Sequence, residues 1–498
     1  MIDNSIGLLL PIFIVAAGAL SMMLASTAKG ISIETLQRSS VVFIALAFIV
    51  ELPQYGMGIQ RYILPHSLGR AFVVDDFSIL FDLMFLAGAA LTLLINGEYL
   101  HKRRYYNGEF FSIFLFTLLG MMTLSHSNEL ISAFVALEIA SLGIYTLSGY
   151  HKNHLISAKA MMKYLILGSF ASTLFLVGSA IIYATLGTTV ISEFSMRALE
   201  RGYIDSLALV SAGMLIISTI LFKIGAVPFH AWVTDVYEGA PFPVTMYMAA
   251  VFKIAVFALA IRLYISYDSV IALHQRSILE FVSAATLIGG SLLALRERNL
   301  KRMLAGSSIV HGGYMLIAFT ALGNGSQIAG AAIIFYLFSY FISSVGAFGI
   351  LSYLAVDRAA PPTYEDFEGF AKKRPYMAAM MAIFMLSLSG FPSTIGFLGK
   401  FYIFSSAVEA NELWLAGLGI FTAFVSVYYY FRLIAVMYFH DRTLVVDRES
   451  FGIDTSTLLI ALMAVMAVWG GIGTALIPLL PGADTLIETA RNAISSLL

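Results

Sequence analysis

Residues 220–232, ILFKIGAVPFHAW, place a lysine and a proline inside a stretch that is otherwise apolar enough to cross a membrane. Proline removes a backbone donor and clashes with the preceding helical turn, so we expect this helix to break near Pro228. A broken helix at membrane depth is tolerated only where it is buried in protein or lines a wet cavity. Lys223, five residues before the proline, is therefore a candidate polar site inside the membrane.

A second stretch of the same kind lies at residues 389–404, SGFPSTIGFLGKFYIF, and predicts a break near 390–392 that is followed by Lys400. Lys163 and Lys253 also lie within apolar segments. A charge at the bilayer centre costs roughly 2.5–3.5 kcal/mol on insertion scales, and such residues usually mark a transport path. Lysines in series indicate a path for protons.

The composition supports a membrane protein and excludes several other classes. Of the 498 residues, 59% are hydrophobic and 12% are charged, whereas soluble domains are about 25% charged. The net charge of -1 argues against nucleic acid as a partner. Because the chain has no cysteine, it has no disulfide, iron–sulfur or thiolate metal site. Its nine histidines are scattered and lack HExxH spacing, so we expect no metal site in this chain.

About 20 apolar residues cross a bilayer as a helix. The MIDNSIGLLLPIF start lacks the basic residues of a signal peptide and is expected to begin the first span. The sequence predicts an all-α polytopic membrane protein with about fourteen transmembrane helices. These spans are 5–25, 38–55, 76–97, 110–126, 129–149, 158–187, 207–230, 243–265, 275–295, 302–322, 327–355, 376–408, 413–438 and 456–479.

The two predicted breaks fall in spans 7 and 12, which are five spans apart. Spans 4–8 and 9–13 are therefore expected to be two copies of one five-helix unit, inverted because the number of spans is odd. The chain would form a single membrane domain over 1–498. Its parts would be three N-terminal spans (1–109), two repeats (110–265 and 275–438) and a last span (456–479).

Basic residues predict the orientation, since cytoplasmic loops carry an excess of lysine and arginine. Of the 29 basic residues, 17 lie in loops after odd-numbered spans, 6 lie in loops after even-numbered spans or at the C-terminus, and 6 lie within spans. This bias predicts both termini outside the cytoplasm, on the periplasmic side.

Glu138 lies mid-span in LISAFVALEIASLGIY and can pair with Lys223 if spans 5 and 7 touch. The carboxylate would hold the lysine charged, and its removal would favour proton release, so the pair is a candidate switch. A static buried ion pair is the alternative. Lys253 has no carboxylate within one helical turn and lies about ten residues from either end of its span, which favours proton exchange over snorkelling to an interface.

His311, beside Ser307, Ser308 and Tyr314, is a candidate proton relay, with a structural histidine as the alternative. Lys400 would be the last internal site, unless it only occupies a helix end. His230 and Lys163 are secondary candidates, and snorkelling is the alternative for Lys163. The remaining conspicuous polar or aromatic residues are expected to be interface anchors, belt residues or packing residues: Arg262, Arg432, the 25 tyrosines and the three tryptophans.

Several phrases resemble a known family. FKIGAVPFHAWVTDVYEGAPFPVT at 222–245, SNELISAFVALEIASLGIYTLSGY at 127–150 and KRMLAGSSIVHGGYML at 301–316 are similar to subunit N of NADH-quinone oxidoreductase (respiratory complex I). VVDDFSILF at 73–81 and MKYLILGS at 162–169 are also similar. The resemblance covers about residues 70 to 440, and the DVY-GAP wording separates this antiporter-like membrane subunit from its paralogues L and M.

The resemblance implies a proton route through Glu138, Lys223, Lys253 and Lys400, and every one of these residue types is present. It implies that this chain holds no cofactor, whereas partner subunits carry FMN, iron–sulfur clusters and quinone. The implied partners are the antiporter-like subunit M, the small subunits A, J and K, and the lipid of a bacterial cytoplasmic (inner) membrane. The chain departs from the pattern at two positions, Thr234 and Gly306.

The leading interpretation is a proton-translocating, non-redox subunit of an NADH:quinone oxidoreductase, driven by electron transport in other subunits. A subunit of a multisubunit Na⁺/H⁺ antiporter or of a membrane-bound hydrogenase is the alternative within transport. A membrane scaffold with inert buried ion pairs is the alternative from a different class. Flavin and iron–sulfur partners on purification would favour the first interpretation.

Overall fold

The computed structural model describes residues 4–28, 30–58, 61–63, 70–103, 106–151, 154–203, 206–355, 362–440, 454–476 and 482–497. Thirteen helical segments in this part of the chain are long and apolar enough to cross a membrane. A further span is formed by two shorter helices placed end to end, which brings the total to the fourteen expected. The all-α polytopic fold is confirmed, although residues 477–479 of the last predicted span lie outside the described residues.

The helices of the N-terminal spans and first repeat are α1 (Leu10–Thr27), α2 (Ile33–Glu51), α3 (Asp76–Ile95), α4 (Gly97–Lys102), α5 (Gly108–His126), α6 (Leu130–Ser148), α7 (Leu155–Leu186), α8 (Phe194–Arg201), α9 (Leu207–Ile224), α10 (Val233–Gly239) and α11 (Phe242–Tyr247). The later helices are α12 (Lys253–Arg296), α13 (Leu300–Gly323), α14 (Ala329–Ala355), α15 (Phe370–Lys373), α16 (Pro375–Ser389), α17 (Ile395–Glu409), α18 (Leu413–Phe439), α19 (Thr455–Leu476) and α20 (Ala483–Ser495). A small antiparallel ribbon pairs β1 (Arg61–Ile63) with β2 (Phe72–Val74).

Both predicted breaks are present. Helix α9 ends before Gly225, whose φ of +76° is left-handed, and α10 resumes at Val233. Helix α16 ends before Gly390, with φ of +82°, and α17 resumes at Ile395. Glycine suits both positions because it adopts the left-handed conformation that ends a helix without a Cβ clash. The breaks fall in the fourth span of each five-span set, as an internal repeat requires.

Spans 8 and 9 are joined more closely than the sequence suggested, since helical structure continues through their connection, within α12. The two spans nevertheless run in opposite directions. Lys253 contacts Ser308 of α13, and Ala294 packs where a Cβ on Gly306 of the same helix would lie. In one straight helix, residues 253 and 294 would be about 60 Å apart. They instead pack against residues 308 and 306 of α13, which are only two residues apart.

Span 8 (Phe242–Ile265), α13 and α14 form the centre of the fold. Their side chains are almost entirely buried. Outer helices such as α1, α7 and α18 instead expose large apolar side chains, for example Leu24, Ile166 and Phe424. A π-helical turn, Met248–Phe252, lies directly before Lys253. Such turns are frequent at functional sites, and this one positions Lys253 in the most enclosed part of the molecule.

Candidate functional site

Lys223 lies in the last turn of α9, beside the first break, and only 2% of its surface is exposed. Its Nζ donates to Ser141 Oγ and to Tyr145 OH, each at 2.7 Å. Both acceptors belong to α6, where they follow Glu138 by about one and two turns. Residues at this spacing share one face of a helix, and that face is directed at Lys223.

Glu138 is half-buried and accepts a hydrogen bond from Ser172 of α7. Its carboxylate is on the face of α6 that also carries Ser141 and Tyr145, but it makes no ion pair with the Lys223 ammonium within 4.0 Å. The structure therefore brings the predicted pair to one site, where the lysine is bonded to two hydroxyl groups rather than to the carboxylate. Ser141 and Tyr145 are the acceptors that the lysine uses in this arrangement.

Lys253 is buried at the start of α12. Its Nζ donates to the backbone oxygen and to the Oγ of Ser308 on α13, at 2.7 and 2.6 Å. The ammonium also lies 5.6 Å from the ring centroid of Tyr340. None of the described carboxylates forms an ion pair with Lys253. Snorkelling to an interface is excluded because the side chain is directed into the protein.

His311 lies one turn beyond Ser308 on α13 and is held by two tyrosine hydroxyls. Its Nδ1 is 2.5 Å from Tyr336 OH, and its Nε2 is 3.1 Å from Tyr430 OH. Tyr430 OH also hydrogen-bonds to Ser307 Oγ. Each ring nitrogen therefore has a partner that can either donate or accept a proton, which is the arrangement that a relay requires.

Lys400 lies in α17 with its ammonium directed back at the second break. The Nζ donates to the backbone oxygens of Leu388 and Ser389, at 3.0 and 2.8 Å, and lies 5.0 Å from the Tyr314 ring centroid. These carbonyls are at the C-terminus of α16, where the helix dipole favours a cation. Lys400 and His311 lie 5.0 and 5.9 Å from the Tyr314 ring, and Lys253 and His311 lie 5.6 and 4.8 Å from the Tyr340 ring, so the three residues form one central cluster.

Lys163 is not part of the buried set, since 37% of its side chain is exposed. Its Nζ donates to Asp235 Oδ2 at 2.5 Å and to Ala231 O at 2.6 Å. Asp235 also pairs with Arg302, at 3.0 Å. Partial burial raises the pKa of the Asp235 carboxyl, but its bonds to the two cations outweigh this and lower the pKa below its usual range. Lys163 thus ties α7 to α10 rather than snorkelling.

His230 lies in the loop between α9 and α10. It is half-buried, and its Nδ1 is buried without a hydrogen-bond partner among the described residues. The structure does not bring this histidine into contact with the lysine sites. His230 stays a secondary prediction.

One expectation about polar side chains is wrong. Arg262 is not an interface anchor, because it is 5% exposed and donates to both oxygens of Asp75 at 2.9 and 3.1 Å. Several of the tyrosines, each at most 4% exposed, pack beside the charged groups. These are Tyr145, Tyr314, Tyr336, Tyr340 and Tyr430.

One sequence signal was available for these hydroxyl groups, since Ser141 and Tyr145 share a helical face with Glu138. No spacing pattern pointed to Tyr336 or Tyr430, which come from other helices. The departure at Gly306 also has a steric reason. A Cβ at this position would lie 2.7 Å from the backbone nitrogen of Ala294, so this chain has no room for a side chain there.

Residues 127–426 match the family model described as "NADH:quinone oxidoreductase/Mrp antiporter, TM". A subunit N of NADH-quinone oxidoreductase from Trichlorobacter lovleyi is 37% identical over 429 residues, 86% of this chain and 85% of that protein. The chain belongs to the subunit N family. A subunit N from Brevibacillus brevis is 38% identical over 79% of each chain.

Solved structures agree with this assignment. A chain of respiratory complex I from Thermus thermophilus has a TM-score of 0.78 and 28% identity, and the match covers 94% of this chain and 98% of that one. A chain of an archaeal membrane-bound sulfane sulfur reductase has a TM-score of 0.86 and 25% identity, with 98% of each chain covered. A chain of the Mrp complex of Dietzia sp., at 20% identity and a TM-score of 0.81, shares the fold. Subunit N is therefore one chain of a multisubunit respiratory membrane complex.

Proposed function

We propose that this chain carries protons across the bacterial cytoplasmic membrane as a subunit of a proton-pumping NADH:quinone oxidoreductase. The route runs through Glu138, Lys223, Lys253, His311 and Lys400. The observation that carries this proposal is that three buried lysines are each bound by neutral hydroxyl or carbonyl oxygens instead of a carboxylate. A buried ammonium without a carboxylate partner can release its proton without leaving an uncompensated anion behind.

Side-chain hydroxyls support a connection between the Lys223 site and the central cluster. The ring of Tyr164 lies 4.6 Å from that of Tyr145, and the Tyr164 hydroxyl is buried without a hydrogen-bond partner among the described residues. On the side of the central cluster, Tyr237 OH is 3.4 Å from Ser308 Oγ, which accepts from Lys253. Water molecules would complete this row of hydroxyls, and Tyr164→Phe should slow proton transfer without altering the lysine contacts.

The chain itself performs no redox step in this proposal. Partner subunits carry FMN, iron–sulfur clusters and quinone, and the energy of their electron transfer reaches the proton route. Subunit M and the small subunits A, J and K are the proposed neighbours in the membrane arm. Both termini lie on the periplasmic side, so a reporter fused after Leu498 should be active only as an exported enzyme. A cytoplasmic signal there would contradict the orientation.

The central experiment replaces Lys253, whose oxygen ligands contain no carboxylate. Lys253→Ala should leave the complex assembled and reduce NADH-driven proton pumping about tenfold or more, which corresponds to about 1.4 kcal/mol in the barrier. Lys253→Arg should also be impaired, because arginine keeps its proton. Lys159→Ala, at an exposed position of α7, is the matched control and should pump normally.

Proton uptake and NADH:quinone turnover would be measured in membranes at equal complex content. Wild-type pumping by Lys253→Ala would make this lysine structural and move the route elsewhere. The family description also includes Mrp antiporters. Purification separates the two functions, since flavin and iron–sulfur proteins should accompany the chain in an oxidoreductase and should be absent from an antiporter.

A further inference from the structure

A second buried group of charged side chains lies outside the proposed route, where spans 2, 3 and 4 meet. Glu51 ends α2, Asp82 lies in the second turn of α3, and His126 ends α5; each is at most 1% exposed. One oxygen or nitrogen atom from each residue lies within 4.8 Å of the others. The three helices therefore direct two carboxylates and one imidazole at a single enclosed point.

The orientation of His126 is fixed by the backbone. Its Nδ1 lies 2.9 Å from the backbone oxygen of Val73, which can only accept, so Nδ1 carries a proton. The other nitrogen, Nε2, lies 3.0 Å from Asp82 Oδ2 and forms an ion pair with it when it carries a proton; a metal would replace that proton. A metal-binding histidine usually has this arrangement, with the second nitrogen held by a carbonyl or carboxylate.

The two carboxylates differ in their surroundings. Asp82 Oδ1 accepts a hydrogen bond from Ser125 Oγ at 2.6 Å, which leaves Oδ2 directed at the cluster. No hydrogen bond to the Glu51 carboxylate is found among the described residues, although the residue is 1% exposed and one of its oxygens lies within 4.8 Å of ligand atoms of His126 and Asp82. A buried charge without a partner is unfavourable. The unpartnered carboxylate of Glu51 is therefore an independent indication that a cation belongs at this point.

We propose that Glu51, Asp82 and His126 bind one divalent transition-metal ion of the Zn²⁺ class. Two carboxylates, a neutral imidazole and a doubly charged cation sum to zero charge, which suits an enclosed site. Zinc–nitrogen and zinc–oxygen distances of about 2.0–2.2 Å place neighbouring tetrahedral ligands about 3.3 Å apart. The separation of 3.0 Å between His126 and Asp82 is close to this value. The imidazole ligand favours Zn²⁺ over Mg²⁺ or Ca²⁺.

This site goes beyond the proton route and would link it to the N-terminal spans. The Arg262 guanidinium donates to Ser125 O at 2.9 Å and pairs with Asp75, which matches its charge. Ser125 precedes His126 and also holds Asp82. Arg262 lies in the same span as Lys253. A bound ion would therefore fix spans 2, 3 and 4 to one another and, through Ser125, to the span that carries the central lysine.

The test uses the detergent-solubilised complex, treated with a chelator and then titrated with ZnCl₂. Bound zinc is measured by elemental mass spectrometry per mole of complex. Glu51→Gln is the informative variant, because its carboxylate makes no hydrogen bond that the substitution would break. Wild type should retain about one zinc more than this variant, whose affinity should fall at least tenfold. Ser125→Ala, which alters only the residue behind Asp82, should weaken binding about 10–100-fold.

Two further variants separate metal binding from folding. Glu51→His supplies a different ligand at the same position and should recover zinc binding. Asp76→Asn changes a carboxylate of α3 that bonds to Gly56 N outside the cluster, and it should bind zinc as wild type does. Equal zinc in wild type and Glu51→Gln would overturn the proposal. Failure of the wild-type complex to bind added zinc would also overturn it and would leave a buried His–Asp pair.

Discussion

The two broken helices stabilise their lysines in different ways. In α9/α10 the lysine precedes the break, and its ammonium is bonded to side-chain hydroxyls of a neighbouring helix that also carries Glu138. In α16/α17 the lysine follows the break, and its ammonium is bonded to backbone carbonyls that the break releases. A helix break therefore places a lysine near a carboxylate in the first repeat and at the C-terminus of a helix in the second.

This difference predicts different roles for Lys223 and Lys400. A carboxylate can be protonated, moved or screened, so its influence on Lys223 is adjustable. The carbonyls at the end of α16 are fixed partial charges, and their influence on Lys400 changes only if the helix end moves. We therefore expect the first repeat to respond to coupling from elsewhere in the complex, and the second repeat to hold a proton at a constant affinity.

The largest expected effect is at Lys400. Lys400→Ala should reduce proton pumping about tenfold or more, because no other described cation contacts the end of α16. Lys400→Arg keeps the charge at the helix terminus but cannot release a proton, so pumping should stay low. Pumping is measured in membranes at equal complex content. If arginine restores it, the second repeat needs only a positive charge, and the comparison fails.

A double-mutant cycle sharpens the comparison. Glu138→Gln should leave assembly intact and reduce pumping several-fold, less than Lys400→Ala does. Glu138→Gln should add little to the loss caused by Lys223→Ala, since the two residues act as one unit. Its effect should instead combine with Lys400→Ala additively, within about 0.5 kcal/mol of barrier height, as expected for separate sites. Equal coupling in both cycles would contradict the different roles of Lys223 and Lys400.

The glycines at the two breaks provide a stability comparison. A Cβ at Gly225 would lie 2.5 Å from Val233 Cγ2, and one at Gly390 would lie 2.8 Å from Lys400 Cδ. Left-handed backbone also costs an alanine roughly 1–2 kcal/mol. We expect both alanine variants to lower the unfolding temperature of the complex. Only Gly390→Ala should also impair pumping, because its Cβ displaces a lysine of the route; normal pumping by this variant would contradict the contact.

The smallest expected effect is at the ion pairs that tie α10 to α7 and α13. Asp235→Asn should destabilise the protein by less than about 1 kcal/mol, because its bonds are partly exposed. The pKa of Asp235 is lowered from 3.8, so its contribution is present above that pH and is lost as the pH falls. Thermal unfolding of wild type and variant should converge in acid. A difference that persists at low pH would assign the effect to packing.

Sequence reasoning was most successful for features encoded locally. Hydropathy located fourteen spans, and the glycine and proline positions located both breaks, because each depends on consecutive residues. The buried tyrosines and the role of Arg262 were missed, because their partners come from helices distant in sequence. The absence of HExxH spacing similarly gave no indication of Glu51, Asp82 and His126, which three separate spans bring together. Periodicity shows which face of a helix is polar but not what lies opposite it.

The π-helical turn before Lys253 has a mechanical consequence. A π turn contains one residue more than an α turn, so the hydrogen-bond register of the helix is shifted by one residue across it. If the turn reverted to α-helical geometry, the helix on one side of it would rotate by about 100° and move along its axis by about 1.5 Å. Such a step would turn the ammonium away from Ser308 while the surrounding helices stayed in place. The central lysine therefore lies directly after a turn that can shift the register of its helix by one residue.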